Sequence, residues 1–224
     1  MHKLITLGCA ALAVAASPAM AQDRAGDVQV KVMGSAVLPD GKIKRVNVDL
    51  VGVPADTQTN ATDNFVPTAA IEYFVTNNVS IETIAGVTQH QVKATAGLPQ
   101  GAQLVREARL LPATLTAKYH FDLAKDIKPY VGAGPALFIW LTDKPGSTAQ
   151  AIGVTRTNLS NEFGVALQAG VDIALGDSGL GLSLDAKRYF IGTTAQFFAG
   201  NTLALETDHR LDPWVLSAGV SYRF

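Results

Sequence analysis

The sequence predicts an all-β fold, an eight-stranded antiparallel transmembrane β-barrel with short turns at one end and long loops at the other. Three observations carry this expectation. Apolar and polar residues alternate with period two in segment after segment, as in a strand with one apolar face. The connections between these segments are alternately short and long, the pattern of a bacterial outer-membrane barrel with both termini on the short-turn side. No stretch after the leader holds 18 consecutive apolar residues, so strands rather than a helix must do any crossing.

Residues 1–21 read as a cleaved secretory signal peptide. Met1-His2-Lys3 is a basic start, Leu4 to Ala16 is apolar, and Ala19-Met20-Ala21 fits an A-x-A cleavage site. Cys9 falls inside this leader, and a lipoprotein reading of it lacks a matching preceding triplet. The barrel is assigned to residues 22–224. Losing the leader removes Lys3 and no acid, so 17 basic and 19 acidic residues remain, a net charge of −2. Such a balance, with no basic stripe, argues against a nucleic-acid partner.

Taken in order, the first strand is Val28–Ala36, with Val28, Val30 and Val32 opposite Gln29, Lys31 and Met33. Phe65–Val75 sets Phe65, Ile71, Tyr73 and Val75 against Thr68, Ala70 and Glu72. Val79–His90 sets Val79, Ile81 and Val87 against Ser80, Glu82, Thr88 and His90. Leu111–Phe121 sets Leu115, Tyr119 and Phe121 against Thr114, Thr116, Lys118 and His120. Tyr130–Leu141 is apolar on both faces in its second half. Phe163–Ile173 sets Phe163, Val165 and Leu167 against Gly164, Gln168 and Asp172. Leu182–Ile191 alternates until Arg188-Tyr189-Phe190, where its faces become ambiguous. The last strand, Trp214–Phe224, opposes Trp214, Leu216, Val220 and Tyr222 to Ser217, Ser221 and Arg223. Short turns are Thr76–Asn78, Asp122–Pro129 and Ala174–Gly181; the long connections are Val37–Asn64, Gln91–Leu110, Thr142–Glu162 and Gly192–Pro213.

A soluble barrel or sandwich would turn the apolar faces inward and the polar faces to water. Against it, the polar faces are mostly Gly, Ala, Ser and Thr, which suits a narrow lumen. Phe65, Tyr73, Tyr119, Phe121, Tyr130, Phe163, Trp214, Tyr222 and Phe224 also stand near strand ends, where interfacial girdles belong.

Parity maps the lumen. Its ionisable residues are Lys31, Glu72, Glu82, Lys118, His120, Asp172, Asp185, Lys187 and Arg223, most of them toward the short-turn end. Unpaired charges in a narrow lumen are costly, so these should form a mutually satisfied plug. Met33, Pro112, Leu137, Ile139 and Leu141 are expected to line the other half as an apolar funnel for a small hydrophobic solute. The alternative to the funnel is that they fill space in a barrel barely wide enough for its own side chains. With a plug below, exit is expected sideways into the bilayer, through a gap at Pro112 and Pro135, which lack N–H groups. Catalysis is not expected: His90, His120 and His209 lie in different segments, and His120-Phe121-Asp122 has no serine beside it. No cofactor motif stands out, because Gly132-x-Gly134 lacks a third glycine.

Several blocks look familiar. Pro67-Thr68 with Tyr73 to Asn78, Leu111 to Thr116 with Tyr119, Lys128 to Gly134, Asp212-Pro213-Trp214 and Gly219 to Phe224 together resemble the outer membrane protein W family. The resemblance implies an eight-stranded outer-membrane barrel embedded in outer-membrane lipid, and for some members, including alkane-uptake proteins, passage of small hydrophobic molecules. Pro135-Ala136-Leu137 departs from the more polar stretch typical of the family at this point. The other reading is a structural or interaction barrel with a filled lumen and partner-binding loops. Tyr222 and Phe224 resemble the end signal read by outer-membrane assembly machinery. Deleting Phe224 is expected to lower the amount of inserted barrel, measured by surface labelling, more than the stability of barrel already folded. Normal surface levels would refute that role.

Overall fold

The computed structural model describes residues 24–224; the expected signal peptide lies outside them. The strands are β1 (Val28–Leu38), β2 (Lys42–Asp49), β3 (Gln58–Ala61), β4 (Asn64–Phe74), β5 (Val79–Ala85), β6 (Thr88–Ala96), β7 (Gln103–His120), β8 (Ile127–Pro145), β9 (Arg156–Leu159), β10 (Glu162–Ala174), β11 (Leu180–Phe190), β12 (Gly192–Ala199), β13 (Thr202–Arg210) and β14 (Trp214–Arg223). A five-residue helix, α1 (Ser147–Ala151), follows β8.

Eight of these strands close into an antiparallel barrel in the order β1-β4-β5-β7-β8-β10-β11-β14. Closure runs from Gln29↔Arg223 to Leu38↔Trp214. Along each strand one face is buried and the other exposed, and the exposed face is the apolar one: Val32, Ile71, Tyr119, Leu167, Leu184 and Val220 all face outward. That inversion of the soluble pattern is what a hydrocarbon surround requires.

The long connections are not irregular. They carry β2, β3, β6, α1, β9, β12 and β13. The segment read as one strand from Val79 to His90 divides at Gly86-Val87 into β5 and β6, and β6 continues the ladder along the overshooting part of β7. At 18 and 19 residues, β7 and β8 are far longer than the roughly ten needed to cross a bilayer, and both project beyond the barrel. A second sheet, β2-β13-β12-β9, stands opposite them, so the two sheets form an outer cylinder stacked on the barrel. The β12–β13 hairpin turns at Gly200, whose φ of 59° is the positive value that glycine supplies freely.

The inside of this outer cylinder is apolar. Val105, Ala108, Ala149, Val154, Leu159, Ala195 and Phe197 form one buried cluster there. Polarity therefore flips along single strands. On β7 the inward residues are Thr116, Lys118 and His120 in the lower half, then Val105, Ala108 and Leu110 in the upper.

Candidate functional site

Between the outer cylinder and the short-turn end, the lumen falls into three layers. The outermost is a cavity of about 240 Å³. Its lower wall includes Val66, Ile84, Pro112, Phe138, Tyr189 and Val215; its upper wall includes Ile43, Val92, Val154, Phe197 and Leu205. Val51–Pro54, Leu98 and Ile152 also line it, with Val51 and Ile152 exposed at the surface. An apolar cavity of about 150 Å³ is already enough to stay dry and accept a benzene-sized guest.

Below the cavity is a thin layer of hydroxyls. Ser35 Oγ lies 2.6 Å from Thr68 Oγ1 and 2.7 Å from Ser217 Oγ. Met33 is buried near this level, paired in register with Gly219 and Thr68.

The third layer is ionic. Lys31 Nζ donates to Asp172 at 3.0 Å and sits 3.0 Å from Glu72 and 3.4 Å from Glu82. Lys118 Nζ donates to Glu72 at 2.8 Å and Glu82 at 2.9 Å, and lies 3.7 Å from the centre of the Tyr130 ring. Lys187 Nζ donates to Glu82 and Asp185, both at 3.0 Å. Three ammonium groups thus face four carboxylates. Neutral donors meet the remaining acceptor demand: Tyr130 Oη and Gln168 Nε2 donate to Asp185 at 2.7 and 2.6 Å, Ser183 donates to Asp172, and Ser80 donates to Glu72. His120 Nε2 lies 2.8 Å from Glu72 Oε1, and its ring packs between Phe74 and Tyr130. Glu72, His120 and Asp172 offer ligand atoms within 4.8 Å of one another, but the Lys31 ammonium already bridges the two carboxylates. The layer is a closed network of ion pairs.

Beneath it, at the short-turn mouth, Asp122 accepts from Lys128 Nζ at 2.5 Å and Asn78 at 2.9 Å and faces Arg24 at 3.6 Å. The Lys128 hydrogen bond, with help from Asn78, holds the Asp122 carboxyl below its ordinary range.

Lys31, Glu72, Glu82, Lys118, His120, Asp172, Asp185 and Lys187 are brought together in one network; Arg223 is not. It pairs with Asp27 at 3.4 Å on the rim below. Of the residues expected in the apolar funnel, Pro112 lines the cavity and Met33 faces the lumen beneath it. Leu137, Ile139 and Leu141, expected in the funnel, do not line the cavity. Leu137 pairs with the outward Phe163, and Leu141 is 52% exposed on the barrel exterior. The inward set on β8 is Ala136, Phe138 and Trp140, one residue out of phase, because Phe138 pairs with the inward Pro112. The same shift takes Tyr130 out of the expected girdle and into the ionic layer, where it is 1% exposed. Gln168 and Ser183 were on the polar faces but carry no charge to flag them.

Of the two prolines expected to open a gap, Pro112 is paired with Phe138, while Pro135 stands in a short break of the β7–β8 pairing between Thr114↔Ala136 and Ala117↔Ala133. There the strands press so close that a Cβ on Gly134 would stand 1.9 Å from Leu115 O. The open seam lies elsewhere. The β4–β5 ladder stops at Ala69↔Ala85, while β4 continues to Asn64 and β6 pairs only with β7 and β3. Between Pro67-Thr68 and Gly86-Val87 there is therefore no ladder, and Asn64 Nδ2 to Gln89 O at 2.9 Å bridges its top. Thr68, Gly86 and Thr88 line the cavity at this level.

Two predictions follow from this geometry. Lys118→Ala leaves Glu72 and Glu82 without their shared ammonium and should lower stability by about 3–5 kcal/mol in urea titrations, with Lys118→Met/Glu72→Gln recovering much of the loss. In the outer cylinder, burial holds His90 and His209 below the ordinary histidine pKa. His209 lies between Thr207 Oγ1 at 2.7 Å and Gly41 O at 3.3 Å. The unfolded chain binds protons first as pH falls below about 6.5, so the stability these residues contribute is present above that pH and lost below it. Amide protection in β6 and β13 should accordingly drop at pH 5.5 relative to 7.5, about one unit either side of that value, and glutamine at both positions should flatten the difference.

The profile of the OmpW family matches residues 24–224. An uncharacterised outer-membrane protein of Sinorhizobium fredii is 32% identical over 198 residues, covering 88% of this chain and 79% of its own. Outer membrane protein W of Vibrio cholerae is 29% identical over 223 residues, covering 97% of each. The crystal structure of OprG from Pseudomonas aeruginosa superposes with a TM-score of 0.80 at 23% identity, over 90% of this chain and 97% of that one, a likeness of fold.

Proposed function

The chain belongs to the OmpW family of outer-membrane β-barrels, and from that premise we propose that it carries small hydrophobic molecules passively across the outer leaflet of the outer membrane. The observation that carries this reading is the apolar cavity of about 240 Å³, opening outward and closed below by buried ion pairs. A barrel serving only as an anchor has no use for such a cavity, and its lumen would be filled by side chains. The family resemblance, which includes alkane-uptake proteins, points the same way.

In this mechanism the solute enters between Val51–Pro54, Leu98 and Ile152 and settles against Phe138, Tyr189 and Val215. It cannot continue downward, because the next layer offers only hydroxyls and then ammonium and carboxylate groups with which an apolar molecule makes no favourable contact. Its way out is lateral, through the unpaired seam between Pro67-Thr68 and Gly86-Val87, whose outer residues Pro67 and Val87 are exposed where the barrel meets lipid.

A disulfide across the seam tests this route. A Cβ at position 86 would lie 3.5 Å from the Thr68 Cβ, within the usual separation of about 3.5–4.5 Å for a disulfide. The expected mature chain holds no other cysteine. Thr68→Cys/Gly86→Cys barrels in liposomes should lose transfer of an apolar dye into the bilayer when oxidised and regain it on reduction. Equal transfer in both states would eliminate the seam as the exit.

A further inference from the structure

The outer edge of the lipid-facing belt is built in two ways. On the wall of β10, β11, β14, β1 and β4 it ends in the exposed aromatic residues Phe163, Phe190, Trp214 and Phe65. On the wall of β7 and β8 the aromatic residues at that level turn inward, as Phe138 and Trp140 do. The belt there ends in Leu141, and charged side chains follow.

Height can be counted along β7. Tyr119 stands outward at the inner rim, and Arg109 is ten residues away. A tilted strand advances about 2.5 Å along the barrel axis per residue, so Arg109 is about 25 Å above Tyr119, the height of the apolar band of such barrels. It marks the level at which hydrocarbon gives way to lipid headgroups.

Three cations share one carboxylate at this level. Arg109 Nε lies 2.9 Å from Glu107 Oε1, Lys144 Nζ donates to Glu107 Oε2 at 2.7 Å, and Arg106 brings a third positive charge to bear on the same group. Arg109 also donates to Gln89 Oε1 at 3.0 Å. The neighbouring acid Asp143 is engaged elsewhere, accepting the Leu159 N–H at 2.8 Å. Arg109 and Lys144 are 51% and 47% exposed, so their free donors reach outward. A protein with a slight overall negative charge thus concentrates a local excess of two positive charges at headgroup height, on the wall that lacks aromatic anchors.

We propose that Arg106, Arg109 and Lys144 form a binding site for a phosphate-bearing lipid headgroup of the outer leaflet. Guanidinium forks match phosphate oxygens in pairs, and an ammonium adds a point charge beside them. Glu107 holds Arg109 and Lys144 in place while the site is empty and competes with the phosphate for them. The site is independent of solute uptake, since it lies on the outside of the wall that encloses the cavity.

The sign of the Glu107 effect separates this assignment from a structural ion cluster. Full-length barrels are reconstituted in phosphatidylcholine vesicles with or without phosphatidic acid, extracted, and the phosphatidic acid retained per barrel counted by native mass spectrometry. Replacing Arg106, Arg109 and Lys144 singly by Gln should lower retention by about five-fold for each cation, the order expected for a basic residue at an anionic membrane surface. Glu107→Gln should raise retention, because it removes the competing charge and keeps the side chain's shape. A fall or no change in Glu107→Gln, or unchanged retention when all three cations are replaced, overturns the site. Displacement of phosphatidic acid by inorganic phosphate at millimolar concentration overturns the lipid assignment in favour of a soluble anion. Heat-dependent gel mobility, read on every variant, shows that each barrel counted is folded.

Discussion

A backbone amide facing hydrocarbon has no partner except another strand, and most of this architecture follows from that one demand. It forces β1 onto β14, from Gln29↔Arg223 to Leu38↔Trp214, because an open edge could not survive in lipid. Closure with eight strands leaves an interior little wider than its own side chains. Glycine on the inner face makes room where those side chains are long: a Cβ on Gly132 would stand 2.9 Å from the Lys118 side chain. The ionic layer is a second consequence. Three lysines buried to about 1% exposure are tolerable only with carboxylates at 2.8–3.4 Å on every side and neutral donors completing each carboxylate. Such a layer resists being opened, because withdrawing one member strands the others. A passage through this barrel has to go around it.

The place where the wall relaxes its own rule fits that picture. Between Pro67-Thr68 and Gly86-Val87 the ladder is missing because β5 ends at Ala85 and β6 sets off along β7 instead. Pro67 has no N–H to leave stranded, and Asn64 reaches across the top to Gln89 O. Those substitutions lower the penalty of an unpaired stretch beside lipid, where each orphaned polar group is costly. The prolines on β7 and β8 do the reverse. Pro112 sits in the β7–β8 ladder, and the short break at Pro135 is flanked by pairing on both sides, with Gly134 allowing the backbones to close in on each other. A missing N–H weakens a wall only where the neighbouring strand also withdraws.

The barrel and its ionic layer were legible in the sequence because both are written in period two. Where one face is apolar and the other polar, parity places Glu72, Glu82, Lys118 and Asp185 in the lumen without ambiguity. On β8 that signal vanishes. Ala136, Phe138 and Trp140 alternate with Leu137, Ile139 and Leu141, and apolar residues on both faces leave the phase undetermined. Register across strands decides it, through Phe138↔Pro112 and Leu137↔Phe163, and a single sequence does not display register. A weaker clue was available: Gly132 and Gly134 share the phase of Phe138, and glycine is expected on the crowded inner face. The outer cylinder is illegible in the sequence for another reason. Its strands carry Thr, Gln and Asn on faces that meet water, so their composition reads as loop. The Gly200-Asn201 turn between Phe197-Phe198 and Leu203–Leu205 was the hairpin signal that could have revealed it.

The same strands join the outer cylinder and the barrel into one continuous wall. In the barrel the solvent is lipid, and apolar residues face out; in the cylinder the solvent is water, and apolar residues face in. The two patterns meet on β7, where the inward row changes from Lys118, Thr116 and Thr114 to Leu110, Ala108 and Val105, and the outward row from Tyr119 and Leu115 to Arg109 and Arg106. A strand can change its polarity in this way only where its surroundings change, so the crossover marks the membrane surface from within the chain. Because the flip occurs on both faces at nearly the same height, the apolar lining of the cylinder and the apolar exterior of the barrel come to adjacent levels on opposite sides of the wall. The seam at Thr68 and Gly86 lies at that crossover. On the proposed route, a solute moving from cavity to lipid there would pass between two apolar environments through one thickness of wall, without entering water or the ionic layer. An opening lower in the barrel would admit it only past buried charge, and one higher would release it into water.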